Sequence, residues 1–143
     1  FNGYMTDMTR VFYVGKLDET AKKAHELSIA IHHRLMEEGK PGVAASRLYE
    51  IAMEMTKEAG LEAYFMGHKQ QAGYIGHGVG IEVNESPVLA PRSRDVLEAG
   101  NIIALEPKYV IPGVGAVGVE STYVVTETGL ECVTNYPEEI AEL

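Results

Sequence analysis

Two glutamates close runs of small or apolar residues: Glu106 ends NIIALEP at its penultimate position, and Glu120 ends GAVGVE. A carboxylate placed there is expected to be at least half buried, which is costly unless a cation or hydrogen-bond donors compensate it. Asp7, beside Thr9 and Arg10, adds a third carboxylate. His77 stands in YIGHGVGIEVNESP, residues 74–87, where Gly76, Gly78 and Gly80 leave the backbone bare for close approach of another chain or a ligand. Three carboxylates and one imidazole suit manganese, iron, cobalt or zinc, with hard oxygen donors dominating. Each piece alone also has a plainer reading, the histidine as a structural turn residue and Glu106 as a strand-end carboxylate facing water. The cation reading requires that these distant segments converge in space.

The elements that must bring them together follow from periodicity. Residues 9–14, TRVFYV, are β-branched and aromatic and predict a strand ending at Gly15. From Asp18, a plausible N-cap, Ala24, Leu27, Ile31 and Leu35 recur at helical spacing until Gly39. After the Lys40-Pro41-Gly42 break, Ala44, Leu48, Ile51, Met55 and Ala59 repeat that spacing before Gly60, predicting a second amphipathic helix. Strands and turns are expected from there on, at 63–65, 73–80, 102–105, 115–120 and 122–125. This order predicts an α+β layer with helices covering one face of a sheet. His25, His32 and His33 on the first helix are expected at the surface, and the acidic end PEEIAEL as a solvated tail.

The composition narrows the class. The 143 residues suit about one domain, with 45% hydrophobic and 23% charged residues arguing for a folded rather than disordered chain. A net charge of -9 opposes nucleic acid or an anionic membrane as partner. Cys132 is the only cysteine, which excludes an internal disulfide and favours a reducing, cytoplasmic setting. No apolar run approaches the roughly 18 residues of a membrane span, and no secretory start is present. Phe1 opens the chain without an initiator Met, and Asn2-Gly3 is a hairpin-turn signal with no strand before it, so a fragment starting mid-structure is expected.

Five segments in order carry a resemblance: GYMTDMTRVF at 3–12, GKPG at 39–42, GHGVGIEVNESP at 76–87, LEAGNIIALEPKYVIPG at 97–113 and VGVESTYVVTETGLECVT at 117–134. Together they resemble the pita-bread metallopeptidases (methionine aminopeptidase, aminopeptidase P and prolidase), most closely the Xaa-Pro dipeptidase branch. The resemblance implies a curved, mainly antiparallel sheet covered by helices, with residues 1–143 forming a single partial catalytic domain whose N-terminal part is missing. It implies that Asp7 and Glu120 bridge two divalent ions and that His77 and Glu106 bind one of them. The implied reaction is hydrolysis of the N-terminal bond of Xaa-Pro dipeptides or peptides by metal-bound hydroxide, with Glu106 handling the proton. A peptide substrate, no nucleic acid or membrane partner, and compatibility with a homodimer complete the expectation.

The chain departs from that pattern in three places. The family's earlier aspartate would fall before Phe1, so at most one well-formed metal site is expected in this segment. Asn84 stands where these peptidases carry a histidine that holds substrate; asparagine can donate a hydrogen bond but cannot shuttle a proton. Gly118 stands where many relatives have arginine. Asn84 is therefore the expected catalytic and substrate-binding variation, and His68, on the approach to His77, is a further substrate-binding candidate. Glu85 and Arg10 are expected to orient ligands or to serve as structural groups that satisfy buried polar atoms, and Tyr74 and Tyr109 to line the pocket or pack. The alternatives are a non-peptidase hydrolase or lyase on the same fold, or a degenerate peptide-binding module.

Overall fold

Asp18 sets the first helix, α1 (Glu19–Glu38), by accepting a hydrogen bond from Ala21 N–H at 2.9 Å on its side-chain oxygen. These positions come from a computed structural model, which describes residues 2–143. α1 stops at Gly39, though for a reason other than left-handed geometry. Its φ is -75°, and a side chain there would collide with Leu130. The second helix, α2 (Ala45–Glu58), ends conventionally, with Gly60 at φ 70°.

The main sheet takes strands from four parts of the later chain: β2 (Gly76–Gly78), β3 (Glu85–Val88), β4 (Ile102–Leu105), β7 (Ser121–Thr126) and β8 (Gly129–Cys132). Their order is β3-β2-β4-β7-β8, every neighbouring pair antiparallel. β5 (Lys108–Ile111) and β6 (Gly115–Gly118) form a separate hairpin, and β1 (Phe12–Tyr13) pairs in parallel with β9 (Ala141–Glu142). Asn2 and Gly3 form the expected turn, both at positive φ. Ile31, Leu35, Leu48 and Ile51 from the helices close on Ile75, Leu105, Tyr109 and Tyr123 from the strands, so the helices cover the sheet as expected.

Four expectations are corrected. Residues 63 and 64 form a turn rather than a strand, and Phe65 makes only a single antiparallel bridge, to Tyr109, with ring centroids 5.3 Å apart. The strand expected over 9–14 shortens to β1, with Thr9 instead bridging to Glu120. PEEIAEL is docked rather than free: Arg10 donates to Tyr136 O and Pro137 O, and Leu143 N–H donates to Tyr13 O at 3.0 Å.

The last correction concerns α1. His33 is exposed as expected, but His25 and His32 are buried at 1% and 0% exposure. His25 Nε2 donates to Glu138 O at 2.8 Å. His32 Nε2 donates to Val119 O at 3.0 Å, and Nδ1 accepts from the Tyr123 hydroxyl at 2.8 Å. Burial pushes the His32 pKa down to about 4, so the ring is neutral at pH 7. The apolar spacing located the helix face correctly; these two imidazoles lie on that face because carbonyls beneath it need donors.

Candidate metal centre

The candidate ligands arrive from four segments. His77 is central in β2 and lies opposite Ala104 of β4, which in turn lies opposite Thr122 of β7. This row carries the close approach that the bare glycines suggested: Gly76 and Gly78 lie so near Ala104 O and Ser86 O that neither could hold a side chain. Glu106 follows β4 directly, its N–H donating to Ile75 O at 2.8 Å. Glu120 lies between β6 and β7 and exchanges both backbone bonds with Thr9, at 3.1 and 3.2 Å. Asp7 is held through its carbonyl, which accepts from the Thr122 hydroxyl at 2.8 Å.

Their side chains meet. Asp7, His77 and Glu120 each present a ligand atom within 4.8 Å of the others. His77 Nε2 lies 3.8 Å from Asp7 Oδ2 and 3.7 Å from Glu106 Oε1. His77 Nδ1 donates to Gly78 O at 3.0 Å, which fixes the ring with Nε2 turned toward the carboxylates. Tyr74 packs edge-on against the ring, with centroids 6.0 Å apart.

The electrostatics of this cluster favour a cation. Glu106 and Glu120 are 7% and 8% exposed, and Asp7 is half-buried beside them. Burial pushes the Glu120 carboxyl above its usual range, and Glu106 and Asp7 add to that, while the Thr9 hydroxyl and Lys108 oppose it. The Thr9 hydroxyl donates to Glu120 Oε2 at 2.5 Å, and Lys108 Nζ pairs with Glu106 Oε2. Burial works to lower the Lys108 pKa, but pairing with Glu106 prevails and the net direction is upward. Three carboxylates around one oriented imidazole fit a hard divalent ion through donor type, spacing and the like-charge repulsion that such an ion relieves.

The other expected residues divide. Asn84 lines a cleft of about 410 Å³ together with His77, Tyr74 and Glu85. Glu85 is exposed and accepts from Glu82 N–H at 3.2 Å, so it shapes its own turn rather than orienting a ligand. His68 is exposed in the Gly67–Gln71 loop and is not among the residues lining that cleft. Tyr109 is fully buried against Thr56 and Phe65 and packs rather than lining a pocket. Arg10 does hold the backbone of a candidate ligand, donating to Glu120 O at 2.6 Å.

Lys108, Thr9 and Thr122 escaped the sequence reading. Lys108 had a usable signal: it stands two residues after Glu106 in extended chain, where side chains return to the same side. Thr9 and Thr122 had none, since each acts through a partner more than 100 residues away, at separations of 111 and 115.

A sequence profile of the metallopeptidase family M24 matches residues 1–127. The Xaa-Pro dipeptidase of Pyrococcus furiosus is 36% identical over 140 residues, covering 98% of this chain and 38% of that protein. The crystal structure of X-Pro aminopeptidase from Thermotoga maritima superposes with a TM-score of 0.90 at 27% identity, covering 100% of this chain and 38% of its own. The prolidase from Pyrococcus furiosus gives 0.85 at 35% identity, covering 96% and 39%. The chain thus spans about 38% of the length of the curated relatives it matches. These similarities are to pita-bread prolidases and aminopeptidases, and the cluster of Asp7, His77, Glu106 and Glu120 lies within the matched region. The chain belongs to the metallopeptidase family M24.

Proposed function

We propose that residues 1–143 are the metal-binding part of a catalytic domain that hydrolyses the N-terminal peptide bond of Xaa-Pro dipeptides or peptides in the cytoplasm. The observation that carries this reading is the convergence of Asp7, His77 and Glu120 within 4.8 Å, with Glu106 Oε1 3.7 Å from His77 Nε2. Asp7 and Glu120 would bridge two divalent ions, of manganese, cobalt, zinc or iron, and His77 and Glu106 would hold one of them. When bound, such ions supply a water that ionises near neutral pH and polarise the scissile carbonyl.

The chain's own groups then have separate duties. Glu106 keeps one oxygen against Lys108, leaving Oε1 on the His77 side to take and return a proton. Thr9 holds the Glu120 carboxylate in one orientation. Asn84, on the cleft wall, offers its side-chain amide as a donor to a substrate carbonyl. That amide cannot shuttle a proton, and this one feature favours a second reading, a non-peptidase hydrolase or lyase at the same centre.

The test is an assay of the protein, with any sequence that precedes Phe1 in its source retained, against Xaa-Pro dipeptides, longer Xaa-Pro peptides and Met-initiated peptides with manganese or cobalt added. Release of the N-terminal residue is expected, and Glu106→Ala should reduce it at least about 100-fold. Absence of turnover on every peptide while metal binds would replace the peptidase reading with the second one.

A further inference from the structure

Glu106 and Glu120 sit where the strand ladders let go. Glu106 and Pro107 lie between β4 and β5, and Val119 and Glu120 between β6 and β7. The Glu106 N–H and the Glu120 backbone are bonded to Ile75 and Thr9, but Pro107 O and the two polar groups of Val119 lie outside those pairings, and when buried they must find another partner. α1 supplies it. Ser28, fully buried, donates its hydroxyl to Pro107 O at 2.6 Å and accepts from Val119 N–H at 2.9 Å. One oxygen therefore joins the residue after Glu106 to the residue before Glu120. One helical turn on, His32 takes Val119 O, so both polar backbone groups of Val119 end on α1. The Tyr123 hydroxyl, bonded to the other ring nitrogen, holds that imidazole in place.

Apolar packing requires none of this, and satisfying Pro107 O and Val119 N–H does not require that one oxygen serve both. Buried hydroxyl and imidazole groups add little packing that alanine or leucine would not, and each is costly if its bond is lost. What Ser28 does add is a fixed separation between two junctions that each carry a ligand carboxylate. We propose that Ser28, steadied by His32, is a positioning residue of the metal centre that sets the spacing of Glu106 and Glu120 through their backbones. This rests on the assignment of those glutamates as ligands.

Titration of the same full protein with manganese by calorimetry, together with the visible absorption of its cobalt form, tests the proposal. Ser28→Ala should weaken manganese binding on the order of tenfold and shift the cobalt bands, and Ser28→Thr, which restores the hydroxyl, should recover both. Ile31→Val, on the same buried face without a polar link, should lower the Tm and change neither. A folded Ser28→Ala protein with unaltered affinity and spectrum overturns the proposal. If Ser28→Ala does not fold, Tyr123→Phe, which removes only the hydroxyl steadying His32, decides in the same way: weaker binding supports it and unaltered binding overturns it. Glu106→Ala and Glu120→Ala keep the two readings apart. Manganese binding that survives both removes the ligand assignment itself, whereas binding lost in both but unaltered by Ser28→Ala removes only the role of Ser28.

Discussion

α1 and α2 share the same apolar spacing and lie side by side over the strands, yet they bury different chemistry. α1 hides Ser28, His25 and His32, whose hydrogen bonds run to Pro107, Val119, Tyr123 and Glu138. α2 hides Ala45, Leu48, Ile51 and Ala52, with Thr56 as its polar exception, bonded to the Tyr109 hydroxyl at 2.8 Å. The difference lies beneath them. α1 crosses strand junctions that leave Pro107 O and the two polar groups of Val119 to be satisfied, whereas α2 packs against α1 and the apolar cluster. A helix face is therefore polar where the surface it covers leaves donors and acceptors over.

Three substitutions would sharpen or break that contrast. The largest effect is expected from Leu48→Ala on α2, which should lower stability by about 2–5 kcal/mol in urea unfolding while leaving the manganese affinity of the folded protein unaltered. A change in affinity would mean that α2 too supports the centre.

Next is the acid response of α1. The unfolded His32 ring takes a proton near 6.5 and the folded one near 4. Between those values the unfolded chain binds more protons, so this contribution is complete above pH 6.5 and is lost as pH falls toward about 4. The loss should be on the order of 3 kcal/mol, and His32→Gln should flatten the slope of urea midpoints against pH across that window. An equal slope in the variant would mean that the buried ring does not distinguish α1.

The smallest effect is expected from Thr56→Val, about 1 kcal/mol from leaving the Tyr109 hydroxyl without its partner, with no change in the cobalt spectrum. Tyr109, pushed up to about 12 mainly by burial, stays neutral throughout.

The sequence exposed the helices well because Leu35 and Leu48 each sit in a run long enough to show its period, bounded by Asp18, Gly39 and Gly60. It singled out His77, Glu106 and Glu120, which the structure brings together, because costly residue types stand there in small or apolar surroundings, whereas Asp7 stood out only through the order of segments that matches a known family. His32 and Ser28 were not legible. Whether a helical histidine is buried depends on a carbonyl 87 residues away, at Val119, and no local pattern carries that distance. β9 failed for the same reason: an acidic segment gave no sign that Arg10 and Tyr13 would hold it. Residues 63–65 failed in the opposite direction, since residues suited to a strand gave a turn followed by a single bridge that sets Phe65 beside Tyr109.

The glycines on either side of His77 bear on how a saturation library of this protein would look. Any side chain at Gly76 or Gly78 runs into the carbonyl of Ala104 or Ser86. Both positions would be depleted as strongly as His77 itself, although neither has a side chain to offer an ion or a peptide. A tolerance map would then show three intolerant residues in a row and invite a larger catalytic motif than exists. Ranking surviving clones by abundance as well as by turnover would separate them: the glycine replacements vanish from the soluble pool, whereas a His77 replacement persists there and fails only in the assay.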